Sequence, residues 1–297
     1  MISSSNTCRK VLVIGHSGQL AHALAEQQSQ REHLDITCVG RPEVDLCDSA
    51  SVLRILEKEQ PDVVVNAAAY TAVDKAEDDK DLAYSINASG VRTLARLCNQ
   101  CSTGLIHVST DYVFDGSGSI PLDESTPVAP LGVYGQTKLE GERFALAEHP
   151  SSVVIRTSWV YGDAGSNFVT TMLRLAESRD TLGVVADQYG RPTYATDLAS
   201  TILEIAAQLN GTQGGVYHYS NEGAVTSWHG FAEAIFSEAK KSGLKTPSLI
   251  NAISTDQYPT PAKRPAWSAL ALEKIKNTFG VSIPDWTDSL ATYFNKR

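Results

Sequence analysis

Tyr134 and Lys138 stand four residues apart in the run Val133-Tyr134-Gly135-Gln136-Thr137-Lys138. On a helix that spacing stacks two side chains on one face, so the Lys138 ammonium can lie beside the Tyr134 phenol and favour its ionised form. A phenol that titrates near ~10 in water would then exchange a proton close to neutrality, which is the work of a general acid or base. Tyr-x-x-x-Lys pairs also occur on ordinary helix surfaces, so the reading needs other residues to converge on the same place.

Two other segments do so. Lys10-Val11-Leu12-Val13-Ile14 is an apolar, β-branched run that reads as a buried strand, and it leads into Gly15-His16-Ser17-Gly18-Gln19-Leu20-Ala21, with helical periodicity from about Gln19. Glycines there let the backbone turn tightly and approach a pyrophosphate, and a helix N-terminus offers unpaired N–H groups to its charge. The third small position holds Ala21 rather than glycine, which weakens the fingerprint without abolishing it. Ser109-Thr110-Asp111-Tyr112 closes the strand-like run Leu105-Ile106-His107-Val108. Ligands of a doubly wound sheet bind beyond the carboxyl ends of its strands, so the Thr110 hydroxyl is predicted to share a crevice with the Gly15 turn. From there it can reach both a substrate carbonyl and the Tyr134 phenol.

The elements that must position these residues alternate. Asp35–Val39 reads as a second strand, Ser49–Glu59 as a helix closed by Pro61, Asp62–Asn66 as a strand and Asp79–Asn99 as a helix. The strand ending at Ser109, the helix carrying Tyr134 and Lys138, and the strand Val153–Arg156 complete the first half. Such alternation predicts an α/β fold, a doubly wound parallel sheet of Rossmann type, with a smaller C-terminal substrate lobe. Residues 1–158 are expected to form the dinucleotide-binding domain, with a flexible tail at 1–9. Residues 159–297 are expected to form mainly the substrate lobe, interleaved with elements that return to the sheet. There Asn167–Ser178, Thr196–Leu209 and Ser227–Lys241 have helical period, and Tyr258–Pro265 must be extended or looped.

Cofactor choice is legible after the second strand. An acidic residue there selects NAD, whereas a basic one suits a 2′-phosphate; the residues here are Gly40 and Arg41, which favour NADPH over NADH.

Together with Asn66-Ala67-Ala68-Ala69 these motifs resemble the extended short-chain dehydrogenase/reductase superfamily. Longer runs carry the likeness over nearly the whole chain, from about Val11 to Trp286: Val65 to Glu77, Ser109 to Gly116, Arg156-Thr157-Ser158-Trp159-Val160-Tyr161-Gly162 and Asp187-Gln188-Tyr189-Gly190-Arg191-Pro192-Thr193. They narrow it to members that reduce the C4 keto group of a dTDP-linked 4-keto-6-deoxyhexose. The resemblance implies that Tyr134 donates the proton, that Thr110 bonds the same oxygen, and that Lys138 lowers the phenol's pKa and holds the nicotinamide ribose. It further implies that Gly15, Gly18, Gln19 and Leu20 hold the cofactor, with Asp45 and Leu46 beside the adenine and Ala69, Tyr70 and Thr71 along the dinucleotide. Asp111 and Trp159 would face the sugar. Tyr112, Arg191 and Arg264 are further candidates by position and chemistry, Arg264 for the diphosphate.

The likeness breaks where some members hold a magnesium ion between subunits by glutamates. The corresponding positions here lie at Ala23 and near Thr196 and Tyr293, where no glutamate stands. Magnesium needs hard oxygen ligands, so no structural metal is expected, and the protein should be a monomer or a homodimer formed some other way. A dehydratase of the same superfamily would need a glutamate after the aspartate, where this chain has Tyr112. A non-catalytic, dinucleotide-binding regulatory subunit, or a reductase or epimerase for another nucleotide-linked 4-keto sugar, stays open at this point.

Composition agrees with this reading. The 297 residues, 42% hydrophobic, can bury a sizeable core, and a net charge of −9 argues against binding bulk nucleic acid. No apolar stretch matches a membrane span, and Met1 to Thr7 lacks the apolar core of a secretory signal, so a cytoplasmic location is expected. The five cysteines, Cys98-Asn99-Gln100-Cys101 included, read as ordinary thiols, since no second pair completes a zinc site.

Overall fold

In the computed structural model, which describes residues 8–297, the apolar runs of the sequence become strands buried on both faces. Six strands form one parallel sheet in the order Gly215–Tyr219, Val153–Thr157, Gly104–Thr110, Val63–Asn66, Arg9–Ile14, Leu34–Val39. The inner strands, covered along most of their length, have no solvent face, which is why they read as continuous valine, isoleucine and leucine runs instead of alternating ones. The helices Gln19–Glu26 and Ala195–Gln208 pack on one face of the sheet, and Ser49–Glu59 and Val91–Gln100 on the other. Chain direction across the sheet reverses between Arg9–Ile14 and Val63–Asn66, and that switch opens a crevice beyond Ile14 and Asn66.

The flexible tail expected for 1–9 falls mostly on residues 1–7, which lie outside the described residues. Arg9 does not belong to such a tail. It opens the first strand, and its guanidinium donates to the carbonyl oxygens of Ala207, at 2.9 Å, and Leu209.

The long helix expected over Asp79–Asn99 is interrupted: α-helical turns at Lys80–Tyr84 and Val91–Gln100 flank a π-helical stretch, Ser85–Gly90. This wide turn presents buried Asn87, whose amide accepts from Tyr70 N at 2.8 Å and donates to Tyr70 O at 3.1 Å and Thr137 Oγ1 at 3.1 Å. One side chain thereby ties the loop after Val63–Asn66 to the helix Val133–Glu148, which bears Tyr134 and Lys138. Two glycines let that helix come close. A Cβ on Gly135 would lie 2.1 Å from Tyr112 O, and one on Gly141 would lie 2.1 Å from Asn87 O.

The later half of the chain is divided between the sheet and a second core. The helix Ala195–Gln208 and the edge strand Gly215–Tyr219 complete the sheet layer. Phe168–Ala176, Trp228–Lys241 and Trp286–Asn295 pack around Tyr161, Tyr194, Phe231 and Tyr293, beside a parallel pair of strands, Thr181–Val185 and Leu249–Ile253. Among the described residues no helix is long and apolar enough to cross a membrane.

Since a methyl at position 141 would press on the Asn87 main-chain carbonyl, Gly141→Ala is expected to cost roughly 1–3 kcal/mol through overpacking. Urea unfolding read by tryptophan fluorescence checks this, and an unchanged midpoint would contradict the close approach.

Candidate active site

A cavity of about 510 Å³ lies at the switch point, and Gly18, Gln19, Thr110, Tyr134, Lys138 and Trp159 are among the residues that line it. Gly15 makes the turn possible. Its φ of 127° is one that side-chain-bearing residues rarely adopt, and a Cβ there would lie 3.3 Å from the Ala67 carbonyl carbon. Gly18 caps the helix Gln19–Glu26 with no side-chain bond to its N-terminal N–H groups and no acidic residue in the first turn. The donors and dipole of that helix end are therefore free for an anion, and nothing lies within 4 Å of where a Gly18 Cβ would be.

Tyr134 sits in the first turn of Val133–Glu148, whose start is capped from elsewhere: Glu77 Oε1 accepts from Val133 N at 2.9 Å. The phenol meets the Tyr112 ring edge-on, with centroids 5.4 Å apart. Lys138 is almost wholly buried, and its Nζ donates to Val108 O at 2.7 Å. Burial lowers its pKa to about 8, against the opposing pull of the Glu142 carboxylate.

The tuning expected for Tyr134 needs correction. The phenol's pKa is pushed up to about 12, chiefly by burial and to a lesser degree by nearby Asp111, against a contact with the Thr110 hydroxyl that pulls it down. Desolvation is the largest cause, and no lowering by the Lys138 ammonium, one of whose three N–H groups is held by Val108 O, offsets it. Tyr134 is therefore held protonated at neutral pH, the form in which a tyrosine can donate.

Thr110 Oγ1 donates to Asp111 Oδ1 at 3.0 Å and accepts from Tyr112 N at 3.3 Å. Asp111 is buried, its Oδ2 has no partner, and burial raises its pKa to about 6 although contacts with Ser268 and Thr110 oppose the shift. Trp159 has a left-handed backbone, φ 51°, and its ring stacks on Trp228 with centroids 3.6 Å apart. A Cβ on Gly190 would lie 2.9 Å from the same indole, so the ring is clamped from both sides. Strain of this kind persists only where the surroundings impose it.

The other sequence candidates divide. Leu20, Ala69, Thr71 and Tyr112 line the cavity with the residues above. Tyr70 offers its main chain to Asn87 and its hydroxyl to Asp79, at 2.7 Å. Arg41, Asp45 and Leu46 stand outside that cavity, past the end of Leu34–Val39, beside the Gly15 turn: Gly15 N donates to Val39 O at 2.7 Å, and a Cβ on Gly40 would fall 2.2 Å from His16 Nδ1. Arg41 is exposed, whereas Leu46 is packed into the core and Asp45 Oδ1 accepts from Cys47 N. Arg191 Nη1 donates to Leu270 O at 3.0 Å. Arg264 donates to Asp74 Oδ2 at 3.0 Å and borders a second cavity, of about 540 Å³, with Phe168, Met172, Arg174, Arg179 and Trp228. Sequence reasoning passed over Glu77, Asn87, Ser109, Glu142 and Trp228. Only Glu142, one helical turn beyond Lys138, left a local signal.

Cys98 and Cys101 are both free thiols; Cys98 is buried, which pushes its pKa up and disfavours the reactive thiolate. Among the described residues no three His, Cys, Asp or Glu side chains cluster in a way that could hold a metal ion. Ala23 and Tyr293 are packed in the interior.

A parallel sheet with a glycine-rich first turn, and a tyrosine, a lysine and a threonine gathered at its switch point, defines a dinucleotide-dependent oxidoreductase of the short-chain dehydrogenase/reductase type. Residues 9–297 match the family described as RmlD substrate binding domain, and the chain belongs to that family. It is similar to the dTDP-4-dehydrorhamnose reductase of Aggregatibacter actinomycetemcomitans, 45% identical over 285 residues that span 95% of this chain and 97% of that protein. Two solved structures share its fold. The dTDP-4-dehydrorhamnose reductase of Clostridium acetobutylicum is 37% identical with a TM-score of 0.89, and that of Bacillus anthracis, in complex with NADP, is 36% identical with a TM-score of 0.90. Each comparison covers 97% of this chain and 99% of the other.

Because Lys138 titrates at about 8 in the folded protein and at 10.5 in its ordinary state, the unfolded chain holds the extra proton between those values. Stability should therefore rise with pH across that window, by on the order of 1–3 kcal/mol, and Lys138→Met should lose this rise. Denaturant titrations at pH 7, 8.5 and 10 test it; equal slopes in both proteins would contradict the buried ammonium.

Proposed function

We propose that the protein reduces the C4 keto group of dTDP-4-dehydro-L-rhamnose to the alcohol of dTDP-L-rhamnose, using NADPH. The observation that carries this reading is the convergence of Tyr134, Thr110 and Lys138 on one cavity with an uncapped helix N-terminus at its other end. The relatives named above are called dTDP-4-dehydrorhamnose reductases, and one of them is described in complex with NADP. When bound, NADPH supplies the hydride that reaches C4.

The protein's own groups handle the rest. As the carbonyl carbon becomes tetrahedral its oxygen gains negative charge, and the protonated Tyr134 phenol gives that oxygen a proton. Thr110 steadies the phenol and the same oxygen with its hydroxyl. Lys138 would hold the nicotinamide ribose hydroxyls. The free N–H groups at Gly18 to Leu20 and the absence of a Cβ at Gly15 fit a pyrophosphate, and Arg41, on the solvent side of the turn, suits a 2′-phosphate. Asp45 and Leu46 would flank the adenine, with Ala69, Tyr70 and Thr71 along the dinucleotide. The sugar lies against Asp111 and Trp159, and the nucleotide half extends past the Trp159–Trp228 stack toward the cavity bordered by Arg264. In this division residues 1–158 hold the cofactor and the lobe from 159 onward mainly the substrate.

We also propose that the protein acts in the cytoplasm as a monomer or a homodimer with no magnesium bridge, because packed Ala23 and Tyr293 stand where ligands would be needed. Light scattering with and without EDTA should give one mass, and dissociation by the chelator would refute this.

Tyr134→Phe is expected to lower turnover by about 10²-fold or more while leaving the NADPH dissociation constant nearly unchanged. Loss of absorbance at the reduced nicotinamide band, with identification of the sugar formed, reads the first; fluorescence titration reads the second. Wild-type turnover in the variant, or NADPH binding without turnover in the parent, would overturn the reading. Arg41→Ala should narrow the preference for NADPH over NADH, and equal efficiency of the parent with both cofactors would remove Arg41 from the site.

A further inference from the structure

We infer that Glu142 is a positioning residue for the Tyr134–Lys138 pair, joining the catalytic helix to the strand end beneath it and facing the Lys138 ammonium with a buried negative charge. The inference rests on the reading of Tyr134 and Lys138 given above.

Three consecutive residues at the carboxyl end of Gly104–Thr110 each engage the helix Val133–Glu148. Val108 O accepts from Lys138 Nζ at 2.7 Å, Ser109 Oγ donates to Glu142 Oε1 at 2.5 Å, and the Thr110 hydroxyl contacts the Tyr134 phenol. The middle contact is the one with no place in the chemistry described so far. Glu142 is 2% exposed, and Arg156, 4% exposed, grips it with both arms: Nε donates to Oε1 at 2.9 Å and Nη2 to Oε2 at 2.7 Å. Ser109 and Arg156 are paired across neighbouring parallel strands, so both reach the same carboxylate from one level of the sheet.

Buried ion pairs of this kind seldom stabilise a protein more than apolar residues of similar volume would, so stability alone is a weak reason for this one. Lys138 supplies a better reason. It lies four residues before Glu142 on the same helix face, and its burial disfavours the charged form. The titratable and charged groups around its ammonium are Glu142 and, one turn before Lys138, Tyr134 on its own helix, His107 on the strand below, and the Arg156 cation that lies against Glu142. His107 is fully buried, is kept neutral by burial and by the Lys138 charge, and receives a hydrogen bond from Asn66 at its Nδ1. Glu142 is thus the anion in place to keep Lys138 protonated. A charged Lys138 is what the ribose contact requires.

The test is the titration of Lys138 in protein labelled with ¹³C at the lysine ε-carbon, its signal assigned by loss in Lys138→Met. Glu142→Gln should lower the Lys138 pKa by roughly one unit or more. At pH 8 the charged fraction, and with it kcat, should then fall about fivefold, with the alkaline limb of the pH profile displaced to lower pH and little change at pH 6. Glu142→Asp, which keeps the charge, should restore most of both. If Glu142→Gln leaves Arg156 too poorly paired to fold, the double variant Glu142→Gln/Arg156→Met removes the stranded cation and should still lower the Lys138 pKa. An unmoved Lys138 titration in a folded Glu142→Gln or double variant overturns the inference and leaves Glu142 as a brace. Absence of turnover in the parent would instead overturn the proposed function, while the titration would still judge Glu142.

Discussion

A lysine with its ammonium inside the protein sets terms for everything around it. Lys138 must be given an oxygen for its protons and an opposite charge within reach, and the fold supplies the first from Val108 and the second from Glu142. Both demands bring the helix Val133–Glu148 hard against the end of Gly104–Thr110, where Gly135 leaves room for Tyr112 O; Gly141 leaves room for Asn87 O on the neighbouring helix, and Glu77 caps the helix start from a distant loop. Tyr134 and Thr110 then meet as a consequence of that fit. The cost of burying the cation is accepted at the site where charge is needed, a pattern in which local stability gives way to a fixed arrangement.

The sheet was legible because its strands are covered on both faces and so carry unbroken apolar runs. Val11 to Ile14, Val63 to Val65 and Val153 to Ile155 are such runs, and the helix between Ser49 and Glu59 ends where its cap and Pro61 require. The later half was less legible for physical reasons. Thr181–Val185 and Leu249–Ile253 form a small pair with exposed alternate residues, and the edge strand Gly215–Tyr219 interleaves a histidine between tyrosines, a pattern no periodicity separates from a loop. Two C-terminal helices, Glu273–Phe279 and Trp286–Asn295, went unread; the first is only two turns long, and Pro284 stands close before the second.

The site divides along the same line. Tyr134, Lys138, Gly15 and Gly18 were visible because local spacing or backbone freedom marks them, and Thr110 because a strand end does. Asn87 and Trp228 could not be found that way, since each acts on partners tens of residues distant, Asn87 on Tyr70 and Thr137 and Trp228 on Trp159. The phenol's protonation was misjudged for a related reason. Spacing puts Lys138 beside Tyr134, but only the folded chain shows how deeply the phenol is buried, and burial is what raises its pKa.

The π turn at Ser85–Gly90 fixes something that no single substitution would reveal. A turn of that kind holds an additional residue within a helix that otherwise keeps its axis, and Asn87 occupies it. Deleting one residue between Tyr84 and Asn87 would let the helix relax to ordinary pitch, yet it would swing the amide about 100° around the cylinder relative to the preceding turn, away from Tyr70 and Thr137. The segment is thus constrained in length as well as at buried Asn87, Ala88 and Gly90, so among descendants of this chain insertions and deletions should be purged there.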